Sequence, residues 1–299
     1  MSGTWDVCES GTAMRLDPPS GYRVALKNDL NIVYKEGYTE TFKDFVIPDN
    51  AQEPDARRSL QGRGPLVRLP LHEDSEEHVV VRKCIRGGVL GRFLRDKYMS
   101  LGTPRPLKEL NISEFAHTQG IPTPDILAAA VERVGPFFYK GALAMREIQP
   151  STDLQAEMLD YKRPSGKEAI EKKRRAISAL GHIVAKMHGA GIYHADLHLK
   201  NILMCDDQAR PRLYVLDLDA AMIFKPLSDF RKCLNLLRLY RSVRKINARN
   251  RVVSRTDVLR FLHSYTEESS RSTGELIAKL ERMLPWWRLK WKFSDMLGI

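Results

Sequence analysis

The sequence predicts an α+β fold in two lobes, a strand-rich N-lobe followed by a helical C-lobe. Three observations predict it. Short β-branched runs dominate up to about residue 148, helical periodicity dominates from Lys167 onward, and Pro150 marks a break between them. The 299 residues, 43% hydrophobic and 28% charged, supply a core of that size and exclude a disordered chain.

Residues 1–20, rich in Gly, Ser, Thr and Pro, read as a loose tail, and residues 21–148 as the N-lobe. Strands are expected at Tyr22–Leu26, Leu30–Tyr34, Leu66–Leu71 and His78–Ile85, the last bounded by Gly87-Gly88. Pro106–Gln119 reads as a helix with Leu107, Leu110 and Phe115 as its apolar residues, closed by Gly120. Ile126–Val134 and Phe137–Met145 complete the strands of this lobe. Residues 149–299 form the C-lobe. There Ile170, Ile177, Leu180, Ile183, Val184 and Met187 make a helical stripe ended by Gly189 and Gly191. Strand-like runs follow at Ile202–Met204 and Leu213–Leu218, and the chain after Pro226 reads as helical, with Ser228 as an N-cap and Phe230, Leu234, Leu237 and Ile246 facing the core.

Charge is unevenly placed. The net charge is +11, and Arg231–Lys292 holds 16 Lys/Arg against 5 Asp/Glu, so one C-terminal stretch carries the whole excess. Arg231, Arg238, Arg241, Lys245 and Arg249 recur at helical steps, a basic stripe with only Tyr240 as an aromatic within it. Sparse aromatics count against single-stranded nucleic acid, and no nucleic-acid partner is expected. Three of the four tryptophans lie in Trp286-Trp287-Arg288-Leu289-Lys290-Trp291, among bases. That composition suits either a terminal helix packed on the lobe or an anchor at an anionic membrane surface. No apolar stretch is long enough to cross a bilayer, and the N-terminus lacks the apolar segment of a secretory signal. Cys8, Cys84, Cys205 and Cys233 contain no C-x-x-C pair, which fits a reducing cytoplasm and neither a disulfide framework nor a zinc site.

The chemistry concentrates in Tyr193-His194-Ala195-Asp196-Leu197-His198-Leu199-Lys200-Asn201. Sixteen residues beyond Asn201, an apolar run delivers Asp217. H-x-D-x-x-x-x-N followed by a strand and an Asp is the pattern of protein-kinase-type phosphoryl transfer. In that pattern Asp196 orients an acceptor hydroxyl and accepts its proton, while Asn201 and Asp217 hold Mg²⁺ on the phosphates of ATP. His194 and Lys200 complete the catalytic set. No G-x-x-x-x-G-K-[ST] occurs, which disfavours a P-loop ATPase.

The runs YHADLHLKNIL and LYVLDLDAA resemble the catalytic and metal-binding loops of the bacterial lipopolysaccharide core kinases, a family that includes 3-deoxy-D-manno-octulosonic acid (Kdo) kinases and heptose kinases. Further pieces fit in order between Gln61 and Lys245. Gln61-Gly62-Arg63-Gly64-Pro65 is similar to the family's Gly-rich turn, and Val80-Val81-Arg82-Lys83 with Arg86-Gly87-Gly88 to its strand-plus-RGG segment. Leu107-Lys108-Glu109-Leu110 is similar to the helix whose Glu pairs with the strand base, and Asn235–Ser242 to its basic helix. The resemblance implies a two-lobed protein-kinase-like fold with ATP near the Met145–Ile148 hinge, where Glu147 lies. Gly62, Arg63 and Gly64 would cover the phosphates, and Arg82 or Lys83, paired with Glu109, would position them. Register favours Arg82 and residue type favours Lys83, and both stay open. The implied acceptor is a Kdo or heptose hydroxyl on lipid A–linked core, met at the cytoplasmic face of the inner membrane, with Arg238 and Arg241 contacting it.

Two departures separate the chain from protein kinases: Asp217-Leu218-Asp219-Ala220 stands where a DFG glycine would be, and no APE-like segment follows. The D-L-H form at Asp196–His198 also matches aminoglycoside-phosphotransferase-type kinases, an alternative that the basic run makes awkward for a cationic acceptor. A non-catalytic kinase-like binding module is the second alternative, opposed by the presence of Asp196, Asn201 and Asp217 together.

Overall fold

A computed structural model describes residues 18–42, 45–47, 66–71, 76–85, 97–100, 102–161, 166–207, 210–267 and 272–297. The chain divides into two compact units, residues 1–111 with 126–145 and residues 112–125 with 146–299. The division therefore hands residues 112–125 to the helical unit.

The first unit is built on a seven-stranded sheet ordered β1-β2-β6-β7-β4-β3, with β5 added on β7. Its strands are β1 (Tyr22–Lys27), β2 (Leu30–Lys35), β3 (Leu66–Pro70), β4 (His78–Lys83), β5 (Tyr98–Met99), β6 (Ile126–Val134) and β7 (Phe138–Arg146). The β1–β2, β2–β6, β6–β7, β3–β4 and β5–β7 ladders are antiparallel. Short helix α1 (Thr39–Phe42) places Phe42 with Phe45, Ile47, Leu71, Val79 and Val81 against one face. Helix α2 (Arg105–Thr118) lays Leu107 and Leu110 on the other, among Ile126, Val131, Tyr139 and Leu143. Each fully buried leucine of this kind contributes about 1.5–3 kcal/mol. The helix crosses β7 closely enough that a Cβ at Gly141 would sit 2.5 Å from Pro106 Cγ, so only glycine admits the first turn of α2 here.

Alternation along β4 settles which base meets α2. Val79, Val81 and Lys83 are buried on the α1 side, which leaves Arg82 on the α2 side of the sheet. The sequence left the choice between Arg82 and Lys83 open; Glu109 of α2 takes Arg82.

The second unit is organised by α4 (Lys167–Gly189), whose buried stripe of Ala176, Ile177, Leu180, Ile183, Val184 and Met187 enters its core. Around it stand α3 (Leu154–Asp160), α5 (Asp229–Asn250), α6 (Arg255–Thr266) and α7 (Thr273–Leu297). The helix starts are coded locally. Asp153 caps α3, Ser228 caps α5, and Ser254 with Asp257 forms a reciprocal capping box on α6. Two small sheets carry the loops: β8 (Ser151–Asp153), β10 (Ile202–Asp207) and β11 (Arg210–Val215) in the order β11-β10-β8, and β9 (Ile192–Tyr193) with β12 (Met222–Ile223). Gly191 enters β9 at φ +84°, and a Cβ there would lie 2.1 Å from the Phe224 carbonyl oxygen. Two expectations fail: Ile170 is 40% exposed on the first turn of α4, ahead of the stripe that enters the core, and Phe230 is 59% exposed, because it lies on the first turn of α5 at the rim of an arc centred on Leu236, Leu237 and Leu239.

Candidate active site

The loop from His194 to Asn201 leaves β9 and ends in a single 3₁₀ turn, Leu199–Asn201, that leads straight into β10. Leu197 and Leu199 are fully sunk in the core, and they anchor the loop on either side of His198. Asp196 by contrast stands at the surface with its side chain 64% exposed. The exposed Asp196 side chain thus stands on a loop pinned by two leucines sunk in the core.

The polar supports of this loop are buried and neutral. Asn235 of α5 grips the His194 peptide from both ends: its Oδ1 accepts from His194 N–H at 3.1 Å and its Nδ2 donates to His194 C=O at 2.9 Å. The same Oδ1 accepts from His188 Nε2 at 3.2 Å, and His188 Nδ1 accepts from the Tyr265 hydroxyl at 2.8 Å. Burial pushes the His188 pKa down to about 3, so the chain Tyr265–His188–Asn235 carries no charge near neutrality. Sequence reasoning passed over all three. The signal that could have found Asn235 is an amide set between Leu234 and Leu236 on a helix face otherwise apolar.

His194 turns out to position the loop rather than to meet a substrate. It is fully buried, its Nε2–H donates to Leu216 C=O at 2.9 Å, and its Nδ1 accepts from Asp196 N–H at 3.1 Å. Burial lowers its pKa as well, in keeping with a neutral ring. One imidazole therefore ties the Asp196 backbone to the residue just before Asp217.

Asn201 is buried and its Nδ2 donates to the Asp196 carbonyl at 2.9 Å, while its own carbonyl accepts from Leu216 N–H at 2.9 Å. Asp217 follows in the left-handed region at φ +58°, a conformation Asp tolerates better than most residues, and a short 3₁₀ turn begins beyond it. Asp196, Asn201 and Asp217 are thus brought onto one framework. A carboxylate and an amide oxygen are hard ligands of the kind Mg²⁺ takes, with waters and phosphate oxygens completing its shell. Lys200 lies half-buried on the 3₁₀ turn between them.

The Asp196 carboxyl is held below the usual carboxylate range. Its hydrogen bond with His198, whose Nε2 lies 3.3 Å from Oδ2, is the main cause, with the charges of His198 and Arg238 in support. Arg238 is half-buried on α5, and its Nη1 is buried with no hydrogen-bond partner among the described residues. Arg241, one turn on, is half-buried too.

In the first unit, Arg82 Nη2 lies 2.7 and 2.6 Å from the two carboxylate oxygens of Glu109, at side-chain exposures of 17% and 6%. Lys83 is buried on the opposite face of β4. Glu147 is half-buried just beyond β7. Gly62, Arg63 and Gly64 lie outside the described residues.

Comparison with known proteins places the chain in a family. Residues 50–265 match the model of the lipopolysaccharide kinase (Kdo/WaaP) family. A 3-deoxy-D-manno-octulosonic acid kinase of Actinobacillus succinogenes is 30% identical over 193 residues, 64% of this chain and 76% of that protein. One of Xanthomonas euvesicatoria pv. vesicatoria is 32% identical over 183 residues, 60% of this chain and 66% of that protein. Among solved structures, WaaP in complex with acyl carrier protein aligns at a TM-score of 0.58 and 21% identity, covering 87% of this chain and 97% of that one, a likeness of fold.

Proposed function

Because the chain belongs to the lipopolysaccharide kinase (Kdo/WaaP) family, we propose that it transfers the γ-phosphoryl group of ATP to a hydroxyl of a Kdo residue in the lipopolysaccharide inner core. That the chain is a sugar kinase of this core follows from the family and from its kinase-named relatives. The choice of Kdo over heptose is the finer reading.

Arg238 carries that choice. Its guanidinium acts electrostatically on Asp196 and holds a buried Nη1 with no partner among the described residues. A half-buried cation that acts on Asp196 calls for an anion nearby, and Kdo is a sugar acid whose carboxylate can answer it. A neutral heptose ring would not. The names of the similar enzymes point the same way.

In this reading Asp196 accepts the hydroxyl proton, and its lowered pKa keeps it a carboxylate through neutral pH. His198 holds the carboxylate oxygen, His194 and Asn235 hold the loop, and Asn201 with Asp217 would hold Mg²⁺. The metal, when bound, neutralises charge developing on the transferring phosphoryl group. In the first unit, Arg82 braced by Glu109 is assigned to the nucleotide phosphates. The acceptor is lipid-borne, which places the enzyme at the cytoplasmic face of the inner membrane. A rigid catalytic loop with one exposed carboxylate is the observation that supports a working kinase rather than a binding module.

The test is kinetic. Arg238→Gln should raise KM for a Kdo-terminated acceptor about tenfold with kcat little changed, and should have no such effect on an acceptor whose Kdo carboxyl has been reduced. Equal loss on both acceptors would remove the carboxylate assignment.

A further inference from the structure

Helix α7 has two apolar faces where a terminal helix needs one. The inner face is accounted for: Leu276 and Trp291 are buried, and Ile277, Leu280 and Met283 pack on the core of the second unit. The outer face carries Trp286 at 78% exposure and Leu289 at 51%, flanked by exposed Arg282, Pro285, Arg288 and Lys290. From Arg282 to Lys292 the sequence has four bases and no acid.

The cations are also arranged around the indoles. Lys290 Nζ lies 4.7 Å from the Trp287 ring centroid, and Arg244 Cζ of α5 lies 5.6 Å from that of Trp291. The Lys279–Asp229 pair, 3.5 Å apart, ties the start of α7 to the start of α5, so the two helices run side by side. Exposed Arg244, Lys245 and Arg249 of α5 extend the basic field beside the end of α7. One face of α5 thus presents Arg238 to the catalytic loop, while Arg244 faces α7.

Packing explains the inner tryptophans and leaves Trp286 unexplained, because a folded core gains nothing from an indole in water beside a row of cations. Indole in a ring of Lys and Arg is the chemistry of the bilayer interface, where the ring settles at headgroup depth and the cations meet anionic lipid. We propose that the outer face of α7, with Trp286 and Leu289 entering the interface and Arg282, Arg288, Lys290 and Arg244 on the headgroups, docks this protein on an anionic bilayer. The inference deepens the proposed lipid-borne acceptor, on which it rests for its purpose: it names the surface that meets the membrane. Its observations are independent of the phosphoryl-transfer site.

Flotation of the full-length chain with vesicles tests it in the absence of ATP and acceptor, so that a failure of the kinase assignment leaves the result readable. The wild-type protein should float with phosphatidylethanolamine vesicles containing phosphatidylglycerol, should release at high salt, and should remain free of phosphatidylcholine vesicles. Trp286→Ser with Leu289→Ser should weaken vesicle binding about tenfold or more. Arg282→Glu with Arg288→Glu should do the same. All four side chains are exposed, so folding is preserved, and transfer to a water-soluble, deacylated acceptor should be unchanged. Undiminished flotation of both double variants, or equal flotation with uncharged vesicles, would overturn the proposal. So would a wild-type dimer seen by sedimentation that Trp286→Ser abolishes, since the face would then belong to a second copy.

Discussion

Glu109 and Asp196 are both carboxylates with a close side-chain partner, yet the two halves of the molecule hold them in opposite ways. Glu109 is buried and held by a second charge, Arg82, at 2.6–2.7 Å. Asp196 is exposed, and the groups that fix its backbone are the neutral ring of His194, which accepts from its N–H, and the neutral amide of Asn201, which donates to its carbonyl, with Asn235 holding the His194 peptide in turn. A carboxylate whose task is to hold a cation in place can be desolvated with it. In the proposed reaction a carboxylate that takes a proton from a substrate must stay at the surface, and the order of its loop comes from uncharged groups beneath it.

The sharpest way to break this contrast is at the exposed carboxylate. Asp196→Asn should lower phosphoryl transfer by about 10²–10⁴-fold, with the thermal midpoint unchanged because the side chain packs against little. Next comes its support. Asn235→Leu strips both ends of the His194 peptide and His188 of their partner, and should cost about 3–5 kcal/mol by chemical denaturation, with activity falling alongside. Glu109→Gln leaves Arg82 desolvated without its counter-charge and should cost about 3 kcal/mol, read as a lowered denaturation midpoint. If Asn235→Leu proved harmless and Asp196→Asn unfolded the chain, the division of labour would be reversed.

Two smaller effects are read against pH. His198→Ala removes the main cause of the depressed Asp196 pKa, so the acid limb of kcat/KM should move toward neutral pH; an unmoved limb would mean another group sets it. His188 stays neutral in the fold down to about pH 3, whereas the unfolded chain binds a proton there from its ordinary value of 6.5. Stability should therefore decline as pH falls through that window, by at most about 1.4 kcal/mol per pH unit from this residue, and His188→Gln should flatten the decline.

The loop of the proposed site could be singled out in the sequence because phosphoryl transfer demands particular side chains at set spacings, and His194, Asp196, Asn201 and Asp217 match them. The larger strands and α2 and α4 were readable from period alone. The partner of Glu109 was not, since either Arg82 or Lys83 is reachable until the faces of β4 are assigned by what α1 and α2 cover. Asn235 and His188 escaped for a related reason: their roles exist only where α4, α5 and the loop converge, and nothing near them in sequence hints at a partner some 40 residues away. Strands as short as β9 and β12 carry too little pattern to detect, although they bracket the loop. The basic stripe after Arg231 was visible as charge. Its division between a site-facing Arg238 and an α7-facing Arg244 needed the helix packing.

In the proposed reaction the Asp196 loop directs phosphorylation of Kdo. Mass spectrometry after incubation with ATP, Mg²⁺ and lipid A bearing Kdo but no heptose tests it most directly. One phosphoryl group should be gained on Kdo by the wild-type protein and none with Asp196→Asn. Phosphate appearing only once heptose is present, or appearing undiminished with Asp196→Asn, would contradict it.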